Sequence, residues 1–389
     1  MASVSQLPLR CWAEIDLAAL ERNLKLIRAS LPPHIQYVAV VKADAYGHGA
    51  IESARAAVAG GATWLALASV AEARELVGEV EARLLVLGPL RLAEVEEAVL
   101  LDMDVVAWQE DLVAFAGELA RDVGKAARVH VKLDTGMGRF GVRDPARASR
   151  VVAAAAAHPH VELVGVMTHF ATADERGDAF FGEQLRRFAQ WAGEIKRAHP
   201  HVLAHAANSA AVLRDPAAHF DMVRCGVAVY GMDPFGEDPL ARDLEPALEL
   251  SSYVAAVKRC GPGESTGYGR RFLAQAETHV GLLPIGYGDG WRRGLSNNGE
   301  VLVAGRRRPL VGTVSMDSVA VDLGPDPGVL ELVDEPAVLV GRQGEERITA
   351  EDVARRLDTI NYEITCGLTA RVPRVHRSNA GMERLAGEG

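Results

Sequence analysis

Short apolar runs alternating with longer stretches rich in Ala, Leu, Glu and Arg fill the first 243 residues, and this alternation constrains the fold most. The runs lie at 37–41 and near 63–68, 83–87, 104–108, 128–133, 161–167, 202–206 and 222–230. Most of the intervals between them are long enough for a helix. Strand and helix in repeated alternation give parallel strands, and about eight repeats predict a closed (β/α)8 barrel. An open doubly wound sheet is the rival, but its usual glycine fingerprint is not evident after the first strand. Ahead of the first run, Asp16 is placed to cap a helix whose Leu17, Leu20, Leu24 and Ile27 share one face.

Beyond Asp243-Leu244-Glu245-Pro246 the texture changes. Alternating runs at 250–257, 278–283 and 300–303 are separated by Gly-Pro-Gly, Gly-Tyr-Gly-Asp-Gly and Ser-Asn-Asn-Gly turns. Short strands and tight turns predict a second, mostly β domain. Thr349, with Asp352 three residues on, marks one short helix within it. The expected division is therefore residues 1–243 and 244–389, since 389 residues exceed one ordinary core.

A net charge of −10 leaves no basic excess to displace counterions from a nucleic acid. Met1-Ala2-Ser3-Val4-Ser5-Gln6 does not open a leader peptide, and the bland stretch at 151–157 is too short to span a bilayer. Cys11, Cys225, Cys260 and Cys366 stand far apart, which fits reduced thiols better than disulfides or a zinc site. The expected location is the cytoplasm, with no membrane and no metal involved.

Only six of the 42 basic residues are lysines, Lys25, Lys42, Lys125, Lys132, Lys196 and Lys258. A lysine kept in an arginine-rich chain is a candidate for chemistry that a guanidinium cannot do, such as bonding to an aldehyde. Most such lysines are solvated charges, so position must decide. A barrel gathers its reactive groups at the C-terminal ends of its strands. Lys42 and Tyr46 follow the first strand-like run, and Lys132, Asp134 and Arg139 end or follow the fifth. His169 ends the sixth. His205, Asn208 and Ser209 follow the seventh, and Arg224, Gly226 and Tyr230 lie on or after the eighth. Each alone has a bland reading: a packing histidine, an Asp-Thr-Gly turn, a tyrosine plugging the mouth. Their joint placement on one barrel end favours a site. Ser209 is placed to cap a short helix whose free amides attract an anion, and Gly226-Val227 adds amides nearby. Lys42 is then suited to hold an aldehyde cofactor.

The segments that carry these residues resemble the fold-type III pyridoxal-phosphate enzymes, and within them the alanine racemases. The resemblance rests on Ala39-Val40-Val41-Lys42-Ala43-Asp44-Ala45-Tyr46-Gly47-His48-Gly49, on 132–141, on Ala207-Asn208-Ser209-Ala210 and on Val223-Arg224-Cys225-Gly226. In the second domain it continues through Gly267-Tyr268-Gly269, Ile285-Gly286-Tyr287-Gly288-Asp289-Gly290, Ser315-Met316-Asp317 and Ile360-Asn361-Tyr362-Glu363. It implies a homodimer with shared sites, pyridoxal 5′-phosphate as cofactor and a small amino acid as substrate. It further implies that Lys42 holds the cofactor and is one base, and that Tyr268 from the partner subunit is the other. Arg224 meets the pyridine nitrogen with His205 behind it, and His169 packs on the ring. Lys132, carbamylated, orients Arg139 toward the phenolic oxygen. Tyr46, Asn208, Ser209, Gly226, Val227 and Tyr362 bind the cofactor, chiefly around its phosphate. Met316 receives the substrate carboxylate and Tyr287 lines the access channel. One departure is Gly312-Thr313-Val314, where many members carry arginine before the Ser-Met-Asp segment.

Three rival readings remain. A non-catalytic cofactor-binding barrel lacks the second domain. A basic-amino-acid decarboxylase would place Cys366 in a motif that is absent. A broad-specificity or serine racemase is the nearest alternative, and Tyr46, Tyr287 and Tyr362 favour a pocket for a smaller side chain.

Overall fold

The computed structural model describes residues 9–378 and, as backbone, the strand Gly381–Ala386. Met1 to Pro8, over which a leader was sought, lies outside them.

The expected barrel is present. Eight parallel strands, Gln36–Val40, Trp64–Leu67, Arg83–Val86, Asp104–Ala107, Ala127–Lys132, Val161–Met167, Leu203–His205 and Met222–Cys225, pair in sequence order. The ring closes where Tyr37 meets Val223 and Val38 meets Arg224. These strands are covered on both faces, so they read as continuous apolar runs, with Trp64–Leu67 and Met222–Cys225 buried throughout. Helices complete the repeats. In Phe180–Ala198 the buried Phe181, Phe188, Trp191 and Ile195 share one stripe. Asp144 caps Pro145–Ala157 by accepting from the Ala146 amide, with proline at the first helical position.

Contacts divide the chain into two compact units, one of residues 20–46 and 50–229, the other of 1–19, 47–49 and 230–389. The N-terminal strand Cys11–Asp16 thus belongs to the second unit. There it pairs antiparallel with Leu248–Tyr253 and parallel with Arg374–Ser378, inside an eight-stranded sheet. The run read as one strand over 250–257 is broken near Val254. Its first half joins that sheet, while Ala256–Cys260 pairs with Thr278–Leu283 in a three-stranded sheet. Apolar alternation continues through the corner, which is why the pattern hid it. Thr349 caps Ala350–Arg356 in a reciprocal pair with Asp352, as its spacing predicted.

Candidate active site

The first barrel strand delivers Lys42 into an unusual turn. Ala43, Asp44, Ala45 and Tyr46 all take φ between 52° and 56°, a left-handed helical turn. For L-residues this costs roughly 1–2 kcal/mol each, and no glycine relieves it. The surroundings hold it in place. The Glu72 carboxylate accepts from the amides of Ala43 at 2.9 Å and Ala68 at 2.7 Å, and that of Asp44 accepts from Ala50 at 2.8 Å. Strain over-determined in this way is typical of ligand clamps. The turn buries Tyr46 and leaves Lys42 half-buried.

Tyr46 reaches Gly226, where an added Cβ would collide with its hydroxyl. The Ser209 hydroxyl accepts from the Gly226 amide at 3.0 Å and the Ala228 amide at 3.4 Å. Ser209 is not the helix cap that the sequence predicted. Asn208 caps Ser209–Arg214 through the Ala211 amide at 3.0 Å, because asparagine caps as well as serine and stands one residue outside the helix. Ser209 is thereby free to hold the turn that Gly226 and Val227 begin. A glycine kept bare beneath a tyrosine hydroxyl, beside a serine, is a cradle that any side chain would fill, and it fits a phosphate.

Arg224 lies at the centre of the barrel mouth, 3% exposed. Its guanidinium donates to the carbonyls of Thr168 at 2.9 Å and Ala206 at 3.0 Å, to His205 Nδ1 at 2.9 Å and to His169 Nδ1 at 3.3 Å. Burial lowers its pKa to about 10, which still leaves it charged near neutral pH. Burial and then the charge of Arg224 hold both His169 and His205 well below the usual histidine range. They are therefore neutral acceptors.

Lys132 ends its strand inside the same cluster. Burial, then the charges of Arg224 and Arg139, bring its pKa to about 8. Arg139 itself is exposed, on a loop folded around Asp134, whose carboxylate accepts from the amides of Gly136 at 3.0 Å and Gly138 at 3.1 Å. Sequence reading missed Gln184, which donates to the Thr135 hydroxyl at 3.1 Å and the His169 carbonyl at 3.2 Å. Its one signal is a polar side chain on the buried stripe of Phe180–Ala198.

The Lys132 shift gives a pH prediction. The folded group titrates near 8 and the unfolded one near 10.5. Between those values the unfolded chain holds one proton more, so stability rises with pH there, and the penalty is fully present below 8. In carbon-dioxide-free buffer the cofactor-free protein should show this rise and Lys132→Met should lack it. Thermal melts of the two proteins across that window check the slope. Bicarbonate should raise the wild-type stability and carry the slope to lower pH if the amine is converted to a carbamate, because forming the carbamate from the ammonium and bicarbonate releases a proton.

The second unit carries the remaining candidates. Tyr268 stands at the tip of the hairpin formed by Ser265–Thr266 and Phe272–Leu273, 74% exposed, between Gly267 and Gly269 at φ 76° and 71°. Thr313, at the departure from the family pattern, donates its hydroxyl to the Tyr268 carbonyl at 2.8 Å. The amides of Tyr287 and Gly288 donate to the carbonyls of Ser315 at 3.0 Å and Met316 at 2.9 Å, which sets Tyr287 and Met316 side by side. Arg371 pins both turns by pairing with Asp289 at 3.2 Å and Asp317 at 2.5 Å. Tyr362 lies on the short helix Asn361–Cys366, whose Glu363 carbonyl accepts from Arg292 at 3.2 Å. None of the four cysteines is in a disulfide, and burial raises the Cys225 thiol to about 12, too high for a nucleophile.

Comparisons with known proteins agree with this architecture. Residues 15–234 match the model of the alanine racemase N-terminal domain, and 247–376 that of the C-terminal domain. The alanine racemase of Geobacillus stearothermophilus is 43% identical over 94% of this chain and 92% of its own length. That of Symbiobacterium thermophilum is 42% identical over 94% and 96%. Among solved structures, alanine racemase from D-cycloserine-producing Streptomyces lavendulae superposes with a TM-score of 0.90, at 39% identity, covering 96% of this chain and 98% of that one. The Bacillus anthracis alanine racemase with bound L-Ala-P gives 0.87 at 35% identity, covering 97% and 98%. The two domain models together span residues 15–376 with one short gap, and with relatives above 40% identity over most of the chain they make it a member of the alanine racemase family.

Proposed function

We infer that this chain interconverts L- and D-alanine with pyridoxal 5′-phosphate as cofactor. The observation that carries the reading is the barrel mouth itself, where Lys42, the Tyr46–Gly226 cradle and a charged Arg224 flanked by neutral histidines end neighbouring strands. The cofactor, when bound, supplies the electron sink that makes an α-proton removable. Lys42 would hold it covalently. Tyr46, Asn208, Ser209, Gly226, Val227 and Tyr362 would hold its phosphate.

Racemisation needs a proton taken from one face and returned on the other. Lys42 Nζ serves the face of the D-enantiomer. The Tyr268 hydroxyl serves that of the L-enantiomer, and each returns the proton that the opposite stereochemistry requires. Arg224 would meet the pyridine nitrogen with a group that keeps its protons, which would leave that nitrogen unprotonated and restrain side reactions. His169 packs beside it. Arg139 faces the phenolic oxygen. A carbamylated Lys132 carries the anion that holds Arg139, and the lowered pKa supplies the free amine that takes up carbon dioxide. Met316 offers its backbone to the substrate carboxylate, and Tyr287 narrows the channel.

Tyr268, Tyr287 and Met316 are all exposed in the single chain, and a second copy would cover them. The proposal is a homodimer in which residues 244–389 of one subunit complete the barrel site of the other. A cytoplasmic location is part of the same proposal; among the described residues no helix is long and apolar enough to cross a membrane.

The test is a racemisation assay of the cofactor-loaded protein over a panel of L-amino acids. Alanine should give the highest kcat/KM, and serine should fall at least about tenfold lower, as one added hydroxyl in a small pocket allows. Equal rates with serine would move the assignment to a broad-specificity racemase.

A further inference from the structure

Four buried side chains form a single hydrogen-bonded file through the barrel interior. Arg224 Nη1 lies 2.9 Å from His205 Nδ1, His205 Nε2 lies 2.9 Å from His130 Nδ1, and His130 Nε2 lies 3.3 Å from Asp104 Oδ1. None is more than 3% exposed. The two ends decide everything between them. A guanidinium can only donate and a carboxylate can only accept. His205 Nδ1 must therefore be an acceptor, which puts its proton on Nε2. That proton goes to His130 Nδ1, so the proton of His130 is on Nε2 and goes to Asp104. Each ring gives one nitrogen as acceptor, so neither can be an imidazolium while the file is intact.

The barrel is built around this file. Burial alone would raise the Asp104 carboxyl, but His130 and Arg83 hold it below its usual range. Arg83 donates to both its oxygens, at 2.6 and 3.3 Å, and the Arg128 guanidinium lies 3.3 Å away. Trp64 sets its ring edge-on to His130, with centroids 5.7 Å apart. Gly165 interrupts the buried apolar part of the strand Val161–Met167, and a Cβ there would collide with His130 Nδ1. A glycine inside a strand weakens it and marks a close approach; here the approach is that of the His130 ring.

We propose that His130 and Asp104 are positioning residues that lock His205 as a neutral acceptor and thereby fix the orientation of Arg224. This rests on the reading that Arg224 meets the pyridine nitrogen. With the opposite tautomer, His205 would turn an N–H against an N–H of Arg224 and displace the guanidinium. An imidazolium at either position would bring a dischargeable proton toward the cofactor. The locked file excludes both, and so protects the choice of racemisation over transamination.

The experiment begins with the cofactor-free protein, labelled with 15N in its histidines. His205 should show a fixed Nε2–H tautomer with no titration between about pH 6 and 9, on both sides of the ordinary histidine range. In His130→Leu the His205 Nε2–H loses its buried acceptor, and His205 should become a tautomer mixture or titrate at the expense of its bond from Arg224. His130→Asn, whose amide oxygen can replace the Nδ1 acceptor, should restore the fixed state. In the loaded enzyme, the ratio of transamination to racemisation should rise about tenfold in His130→Leu, the size expected for losing one charge-assisted hydrogen bond, and return with His130→Asn. An unchanged His205 in His130→Leu overturns the proposal. A released His205 with an unchanged ratio also overturns it if Arg224→Lys does raise that ratio. If Arg224→Lys leaves the ratio unchanged too, the reading of Arg224 itself is what fails. Should His130→Leu not fold, Asp104→Asn gives the same readout, because an amide can present oxygen or NH2 and no longer dictates the tautomer.

Discussion

Tyr268→Ala is expected to suppress α-proton exchange from L-alanine by roughly two to four orders of magnitude, the range of a lost general base. Exchange from D-alanine should survive far better, since Lys42 serves that face, and cofactor binding should persist. The asymmetry is what distinguishes a base from a wall of the channel. A tyrosine that merely decorates a turn would leave both exchange rates alone, and one that only shapes the pocket would lower both together. The geometry supports the specific loss. The ring is 74% exposed in its own chain, on a hairpin tip flanked by two left-handed glycines. The hairpin is nevertheless braced, by Thr313 at the Tyr268 carbonyl and by Asn297 Nδ2 at the Arg271 carbonyl, 3.0 Å away. An exposed aromatic on a braced tip is open to contact with a second copy, as the proposed homodimer requires. Deuterium wash-in from each enantiomer, followed by NMR, measures the two rates separately.

Lys42→Ala is expected to show the mirror-image loss and a chemical one besides. Exchange from D-alanine should fall by roughly two to four orders of magnitude for the same reason. Borohydride treatment of the wild-type holoenzyme should fix the cofactor to a peptide containing Lys42, and the variant should retain no label. Lys132 is the one other lysine in the cluster, and its burial at 5% exposure argues for a supporting role. A label on Lys132 in the wild type would overturn the assignment. The left-handed turn makes a further contribution here. It follows Lys42 directly and is fixed by Glu72 and Asp44, so the lysine is carried on strained, immobile backbone rather than on a loose loop.

Much of this was legible before any coordinates. The barrel was readable because parallel strands covered on both faces leave continuous apolar runs, and eight of them recur with helix-length spacing. The polar cluster of Lys132, His169, His205 and Arg224 was legible because strand ends are where such a fold gathers its polar groups. Other features left no comparable trace. The left-handed turn at Ala43–Tyr46 uses residue types that favour ordinary conformations, and it exists only because surrounding side chains hold it. Cys11–Asp16 looks like any short strand, and its place in the second unit's sheet is set by partners more than 230 residues away, such as Ser252 opposite Cys11. His130 stands two residues before Lys132, and so on the same strand face, a period-2 relation visible in the sequence. Asp104 carried a signal too, a lone charge at the start of an apolar strand. Neither could be connected to Arg224 without the packing that aligns three further strands.

The central claim is that one active site draws Lys42 from one subunit and Tyr268 from the other. The direct test joins two inactive parents, Lys42→Ala and Tyr268→Ala, carrying different affinity tags, by co-expression, and isolates the mixed dimer through both tags in turn. A shared site predicts that each mixed dimer contains one site with both bases intact, so racemisation should return to about half the wild-type rate per dimer. If both groups belonged to the same subunit, every site in the mixed dimer would lack one of them. Mixed dimers that retain cofactor and yet racemise no faster than their parents would contradict the account.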